Sequence, residues 1–155
     1  MGFINENITH NKNTIIRTIQ KYSCVADIII FGEAFLQGFY GPTFDVEHDK
    51  QLAITQDSNI IDEICCVAKE YATAVSFGFI EKENGFFYSS QITVDANGKV
   101  IDLFRRVSPG WKELFADNHY REGSGFHTFF FQGKKISIGL CGDLWFDENI
   151  LEVKH

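Results

Sequence analysis

The sequence predicts an α/β fold in which helices cover one side of a mixed β-sheet. Asp27–Phe31 (DIIIF) is a nearly continuous β-branched run, which suits a strand buried on both faces. The segments on either side of this run repeat apolar residues at helical spacing. Further along, Asn84-Gly85 and Asn97-Gly98 are typical of turns between antiparallel strands. A buried strand followed by hairpin-linked strands indicates a mixed sheet.

The helices are predicted from apolar spacing and capping residues. A first helix covers Asn11–Tyr22, and a second begins at Asp57 or Ser58 and ends at Tyr71. The last segment, from about Asp147, is also predicted to be helical. Five further strands are predicted, with a loop over residues 108–125: Ala74–Ile80, Phe86–Val94, Lys99–Val107, Phe126–Phe131 and Lys134–Leu140.

The composition fits one globular domain of 155 residues, with 45% hydrophobic and 23% charged residues. The formal net charge of −7 argues against nucleic acid or an anionic membrane surface as a partner. No apolar run approaches the roughly 18 residues of a membrane span. Sixteen Phe residues indicate a thick apolar interior, an aromatic-lined pocket or a partner surface.

Cysteine usage predicts a reduced, cytoplasmic protein. Cys24, Cys65, Cys66 and Cys141 show no CxxC spacing, and the polar N-terminus is not a secretory signal. Disulfides would need an oxidising compartment, for which the sequence offers no signal. Cys24, Cys65 and Cys66 have no such setting as a strand end followed by a turn, and Cys65 and Cys66, in a predicted helix, are interpreted as core filling or incidental.

Glu33 follows the first buried strand, at the carboxyl end where open α/β sheets place their ligand crevices. A carboxylate in that position could act as a general base. The alternative is an ordinary strand-end carboxylate that faces solvent or caps a loop.

Cys141 follows the predicted strand Lys134–Leu140 and precedes Gly142, which allows a sharp turn. A thiol on such a turn could be a nucleophile, with a nearby backbone N–H facing an oxyanion. The alternative is a small buried hydrophobic residue, which is the usual role of a free cysteine.

Arg105 and Arg106 end the predicted strand Lys99–Val107, and adjacent strand residues point to opposite faces. One of them could therefore point into a site while the other faces solvent, although an ordinary surface ion pair is the alternative. Lys112 and Glu113 follow in the loop, within plausible reach of the same crevice. The five histidines show no metal-ligand spacing, and no phosphate-binding glycine motif is present, so we expect no metal or cofactor.

Three stretches together resemble the nitrilase superfamily of carbon–nitrogen hydrolases. ADIIIFGEAFLQGFYG is similar to the first family motif, with Glu33 in the general-base position and Gly32 where Pro is usual. IGLCGDLWFDE is similar to the third motif, with Cys141 as the nucleophile and Asp143 and Glu148 in the flanking positions. The resemblance implies a Glu–Lys–Cys triad on an α-β-β-α sandwich.

The second motif departs from the family pattern. The usual Tyr-Arg-Lys reads Phe104-Arg105-Arg106 here, so Arg106 stands where the catalytic Lys is expected. Arg keeps the positive charge but does not readily give up a proton. Either Arg106 has an electrostatic role or Lys112 reaches into the site. Family members often carry a further acidic residue after this motif, and the candidates are Glu113 and then Glu122.

The resemblance also implies one incomplete hydrolase domain over residues 1–155, without the family's first strand and C-terminal half. It further implies a homo-oligomer that acts on a small amide, N-carbamoyl compound or nitrile through a cysteine thioester, without a cofactor. The alternative is a catalytically inactive nitrilase-like fragment or interaction module. A third hypothesis is a redox-sensing thiol protein, which would oxidise Cys141 reversibly without amide turnover.

Overall fold

A computed structural model describes residues 2–154 of the chain. Its regular elements follow in chain order: α1 (Ile8–Tyr22), β1 (Ile28–Ile30), α2 (Val46–Leu52), α3 (Asn59–Glu70), β2 (Ala74–Glu83), β3 (Phe86–Val94), β4 (Val100–Arg105), β5 (Phe129–Phe131), β6 (Lys134–Ile136) and α4 (Asp147–Lys154). Short 3-10 helices lie at Pro109–Trp111 and Cys141–Trp145. The predicted mixed α/β fold is confirmed.

The main sheet has the strand order β1-β2-β3-β4. Strand β1 runs parallel to β2, whereas β2–β3 and β3–β4 are antiparallel. The β2–β3 hairpin turns at Asn84 (φ +52°) and Gly85 (φ +84°), because this tight turn needs positive φ at both central positions. The Asn-Gly signal therefore predicted both the turn and the pairing of the two strands.

Helices α1 and α3 pack on one face of this sheet. Every second residue of β2 and β3 points to that face, and the core contains Val75, Phe77, Phe79, Ile92 and Val94. Ile15 and Ile19 of α1 and Ile61 and Ile64 of α3 complete it, each at most 1% exposed. The prediction of helices on one side of the sheet is confirmed.

The opposite face of the sheet is polar at its centre. Gln91 donates from Nε2 to the Ser76 hydroxyl at 2.9 Å and to the Phe31 carbonyl at 3.1 Å. The Ser76 and Thr93 hydroxyls lie 3.0 Å apart. Ser89 lies on the same face, two residues before Gln91, so this polar row leads to the end of the sheet where Glu33 lies.

The structure differs from the sequence predictions in one added helix and in the last two strands. Helix α2 was not predicted, because its seven residues VEHDKQL are too few and too polar for a periodic pattern. The last two strands are shorter than predicted and form a separate two-stranded sheet. Residues 137–140 (SIGL) pair with no strand within residues 2–154, and a strand requires a ladder of hydrogen bonds to a neighbouring strand.

A buried carboxylate joins two loops near the end of the sheet. Asp49 accepts hydrogen bonds from the backbone N–H groups of Thr43 and Phe44 and from the Tyr120 hydroxyl at 2.8 Å. Burial, and then this hydrogen bond, raise the pKa of Tyr120 well above its usual value. The loop at 40–44 and the loop before Tyr120 are therefore fixed relative to each other.

Within residues 2–154, no group of three or more His, Cys, Asp or Glu side chains is placed to hold a metal ion. His155, one of the five histidines considered in the sequence, lies outside the described residues. No helix in the same part of the chain is both long and apolar enough to span a membrane.

Candidate active site

Glu33 lies on a turn that passes closely over β2. A Cβ atom on Gly78 would come within 2.5 Å of both the Gly32 carbonyl oxygen and the Ala34 nitrogen. Ala34 itself has φ +50°. Only glycine at position 78 lets this turn approach, and a glycine inside a strand is the sequence signal for such an approach. Gly78 lies inside the predicted strand Ala74–Ile80 but was not among the predicted site residues.

The Glu33 carboxylate is held by two donors from the polar side of the sheet. Its side chain is 8% exposed. Oε1 accepts from the Ser89 hydroxyl at 2.7 Å and from Arg106 Nη1 at 2.9 Å, and Oε2 lies 3.0 Å from the same nitrogen. This is a nearly buried ion pair with an additional hydroxyl donor, not a strand-end carboxylate in solvent.

Arg105 and Arg106 point to opposite faces, as predicted. Arg105 pairs with Glu81 at 2.6 Å and Glu83 at 2.7 Å, away from Glu33. Arg106 follows directly after β4, and its side chain is only 3% exposed. Its backbone N–H donates to the Ser89 carbonyl, which continues the β3–β4 pairing by one residue. The two side chains that contact Glu33, Ser89 and Arg106, are therefore held side by side.

The guanidinium of Arg106 divides its donors among three directions. Nε donates to the Ser108 hydroxyl at 2.9 Å, and Nη1 donates to the Glu33 carboxylate. Nη2 has no hydrogen bond to any of the described residues. It lies 2.8 Å from where a Cβ on Gly142 would be and 3.3 Å from where one on Gly110 would be. Two glycines therefore leave space beside the one unused end of the guanidinium.

Cys141 begins the 3-10 helix Cys141–Trp145 with φ +45°, which non-glycine residues rarely adopt. Its thiol is free and exposed. The prediction that it directly follows a strand is wrong, since β6 stops at Ile136, five residues earlier. The sharp turn itself is confirmed, and the strained backbone is typical of residues held at functional sites.

Asp143 fastens this turn to the end of β4. It is fully buried. Oδ1 accepts from the backbone N–H groups of Ser108 at 2.7 Å and Val107 at 3.2 Å, and Oδ2 accepts from Leu140 N–H at 2.9 Å. The elbow at Cys141 is thus held next to the chain that leaves Arg106.

Replacing Asp143 with alanine is expected to lower the free energy of unfolding by about 3 kcal/mol, because three N–H groups, two of them buried, lose their acceptor. Urea unfolding followed by tryptophan fluorescence measures this loss. Glu148→Ala, at an exposed position on α4, is the control and should change the free energy by less than about 0.5 kcal/mol. A loss below about 1 kcal/mol in Asp143→Ala would show that Asp143 does not hold the turn.

Lys112 does not contact Glu33. Its Nζ donates to the Tyr120 carbonyl at 2.8 Å and pairs with Glu122 at 2.7 Å. The structure thus favours Arg106 over Lys112 as the cation beside Glu33. Glu122 is occupied by the same pair, whereas Glu113 is exposed and lines the cavity above Glu33.

A second contact docks the segment that leads to Cys141 onto β4. His127 Nε2 lies 2.7 Å from Asp102 Oδ1, and the rings of Phe126 and Phe104 stack at 5.7 Å. Burial raises the pKa of Asp102, even though His127 acts in the opposite direction. Strand β4 therefore positions both Arg106 at its end and the chain that approaches the cysteine.

The structure brings together Glu33, Arg106 and the turn at Cys141. It adds Ser89 and Ser108, two buried hydroxyls that no local sequence pattern marks. Cys65 lies on α3 and packs partly buried against the core, whereas Cys66, on the same helix, and Cys24 are exposed and do not fill the core. Burial raises the pKa of the Cys65 thiol to about 11, which disfavours a reactive thiolate there.

The fold and site define a mixed α/β protein with an exposed cysteine on a strained turn beside a buried Glu–Arg pair. The chain belongs to the carbon-nitrogen hydrolase family, because the model of that family matches residues 4–154. The family assignment made from the three motifs is therefore confirmed.

Curated relatives carry amidase and nitrilase names. The chain is 32% identical over 87 residues to an N-carbamoylputrescine amidase from Solanum tuberosum, covering 53% of this chain and 28% of that protein. It is 30% identical over 135 residues to a bromoxynil-specific nitrilase from Klebsiella pneumoniae subsp. ozaenae, covering 81% and 37%. The chain thus spans less than half the length of each of these relatives.

Among solved structures, a mutant of the amidase from Nesterenkonia sp. AN1 superimposes with a TM-score of 0.75 at 15% identity, covering 96% of this chain and 57% of that one. In that structure acrylamide has added to the active-site cysteine. The likeness confirms the nitrilase-like fold.

Proposed function

We propose that this protein hydrolyses carbon–nitrogen bonds of small amides, N-carbamoyl compounds or nitriles through a thioester on Cys141. The observation that carries the proposal is the arrangement around Arg106. Its Nη1 contacts Glu33, and its unused Nη2 lies beside Gly142, the residue after Cys141. The general base Glu33, the cation Arg106 and the turn that carries the nucleophile Cys141 therefore lie together at one end of the sheet.

In the proposed first step, Glu33 takes the proton of the Cys141 thiol, and the thiolate attacks the carbonyl carbon. The carbonyl oxygen gains negative charge and accepts hydrogen bonds from Arg106 Nη2 and a backbone N–H near Gly142. Glu33 then gives its proton to the departing ammonia or amine, which leaves a thioester. With a nitrile, the thiolate adds to the nitrile carbon and Glu33 protonates the nitrogen; water then adds to this thioimidate, and ammonia leaves to give the same thioester.

In the second step, Glu33 takes a proton from water, and the resulting hydroxide attacks the thioester carbon. The thiolate leaves and regains the proton from Glu33, so acid and free enzyme are the products. Arg106 stays protonated throughout, which suits a residue that stabilises charge but does not transfer protons. Ser89 and Ser108 orient the Glu33 carboxylate and the guanidinium.

Ammonia release from small amides, carbamoyl compounds and nitriles tests this proposal. We expect release, and mass spectrometry of protein quenched during turnover should show the acyl group on the tryptic peptide that contains Cys141. The other three cysteines are internal controls and should stay unmodified. Folded protein that releases no ammonia and forms no adduct would favour the inactive-module hypothesis.

We also propose self-association and a cytoplasmic location. Exposed apolar side chains of Leu144, Trp145, Phe146 and Leu151 on adjoining turns support the first proposal, since exposed apolar groups this close often mark an interface. Cysteines that are all free support the second. The expectation of an incomplete hydrolase domain stays a prediction.

A further inference from the structure

A cavity of about 320 Å³ opens above Glu33 and Ser89. Five aromatic side chains line it: Phe39, Tyr40, Phe44, Trp111 and Phe115. We call this set the aromatic wall. Its volume falls near the lower end of small-molecule sites, which span roughly 300–1,000 Å³. A site of this size takes a compact ligand.

The aromatic wall is organised before any ligand arrives. The Phe44 ring lies 6.2 Å from the Trp111 ring and 6.3 Å from the Phe115 ring. Asp49 fixes the backbone at Phe44 and also the Tyr120 hydroxyl, whose ring lies 5.3 Å from that of Phe44. The wall is thus held by a buried carboxylate and by ring contacts, which keeps the ordering cost of binding low.

The rim of the cavity is unusually apolar for a surface. Tyr40 is 76% exposed and Phe115 is 72% exposed, although both lie above a polar floor. Flat, exposed rings around buried polar groups are the composition of a site that binds an apolar body and orients one polar group. The polar group would lie toward Glu33.

The charges around the rim of the cavity disfavour an anionic group there. Lys112 lines it, but its amine is held by Glu122 and the Tyr120 carbonyl. Glu113 adds an exposed carboxylate to the lining. Among the described lining residues, no cation is left without an anionic partner, so a ligand carboxylate at the rim would meet the Glu113 carboxylate and no uncompensated positive charge.

We propose that the substrate's acyl part is a neutral aromatic ring or an equally flat apolar group that packs on the aromatic wall. The amide or nitrile group then points down to Glu33 and Arg106. This inference rests on the proposed function, since it names the substrate class of the same site. It does not follow from the chemistry of the triad, which serves any acyl group.

Three matched amides test the inference: benzamide, acetamide and 4-carbamoylbenzoate. We expect kcat/KM for benzamide to exceed that for acetamide by at least about tenfold, because a buried ring adds apolar contact. We expect 4-carbamoylbenzoate, which has the same ring and a carboxylate, to be at least about tenfold poorer than benzamide. Equal rates for benzamide and acetamide, or a preference for the carboxylate, would overturn the inference.

A matched pair of variants locates the effect. Phe115→Ala should lower the ratio of benzamide to acetamide turnover by about fivefold or more. Phe130→Ala is the control, because Phe130 is also 72% exposed but lies on β5, outside this cavity. If Phe115→Ala keeps the ratio of benzamide to acetamide turnover, the inference fails. If, in addition, Phe115→Ala but not Phe130→Ala reduces the assembly mass in light scattering, the aromatic wall is an interface between copies of the chain.

Binding separates this inference from the proposed function. Calorimetric titration of Cys141→Ala with benzamide and acetamide reports the site without turnover. Benzamide that binds more tightly, with no amide turned over by the unmodified protein, would sustain the aromatic site and reject the hydrolase. Amide turnover with no preference for benzamide in turnover or in binding would sustain the hydrolase and reject the aromatic site. Absence of benzamide binding would also reject the aromatic site.

Discussion

The Cys141→Ala variant is expected to lose amide turnover by on the order of 10⁴-fold or more in kcat/KM, because no other group can form the thioester. Alanine has the same β-carbon as cysteine, so the substitution adds no backbone strain at φ +45° and the turn should survive. Ammonia release at saturating and limiting amide measures the loss. Far-UV circular dichroism should show an unchanged fold.

Cys66→Ala is the matched control for this prediction. Cys66 is also free and exposed, but it lies on α3, remote in sequence from the proposed site. It should keep turnover within about twofold. Equal activity of Cys141→Ala and the unmodified protein would reject the thioester mechanism. Reversible oxidation of Cys141 in a protein that turns over no amide would favour the redox-sensing hypothesis instead.

The Arg106→Leu variant is expected to lose both stability and turnover. Glu33, 8% exposed, would be left without its cation, and removing one partner of a buried pair costs about 3–5 kcal/mol. Turnover should fall by about 10²–10³-fold, the usual effect of losing one oxyanion donor. Urea unfolding and ammonia release measure the two losses.

Arg105→Leu separates catalysis from folding. Arg105 pairs with Glu81, whose side chain is 1% exposed, so its loss should also destabilise the protein by several kcal/mol. Because Arg105 faces away from Glu33, folded Arg105→Leu should keep turnover close to that of the unmodified protein. If the two variants lose turnover in parallel with stability, Arg106 has a structural role alone.

Arg106→Lys keeps the charge in case Arg106→Leu does not fold. Lysine has one nitrogen, which cannot reach Glu33, Ser108 and the space beside Gly142 together, whereas the guanidinium has separate atoms for each. We therefore expect turnover below that of the unmodified protein by about tenfold or more. Full activity with lysine would show that a point charge is sufficient.

Local chemistry in the sequence decided much of the fold. The β2–β3 hairpin was predicted with β3 at its observed bounds, because Asn84-Gly85 can turn tightly. Helices α1 and α3 were predicted from their apolar stripes. Helix α2 was not, because it is stabilised by the Asp45 cap and by the contacts of buried Asp49 rather than by periodicity.

The sequence by itself determined which residues could carry chemistry: Glu33, Arg106 and Cys141 stand where apolar stretches end. Only the tertiary structure decided how they combine, because their contacts join residues far apart in the chain. The Glu33–Arg106 pair spans 73 positions, and the Ser89–Glu33 hydrogen bond spans 56. The choice between Lys112 and Arg106 as the cation beside Glu33 is likewise tertiary. The Lys112 amine is bound to the Tyr120 carbonyl and the Glu122 carboxylate, so Arg106 contacts Glu33 instead. Side-chain direction and ion-pair choice depend on the packing of sheet and loops, which no local pattern contains.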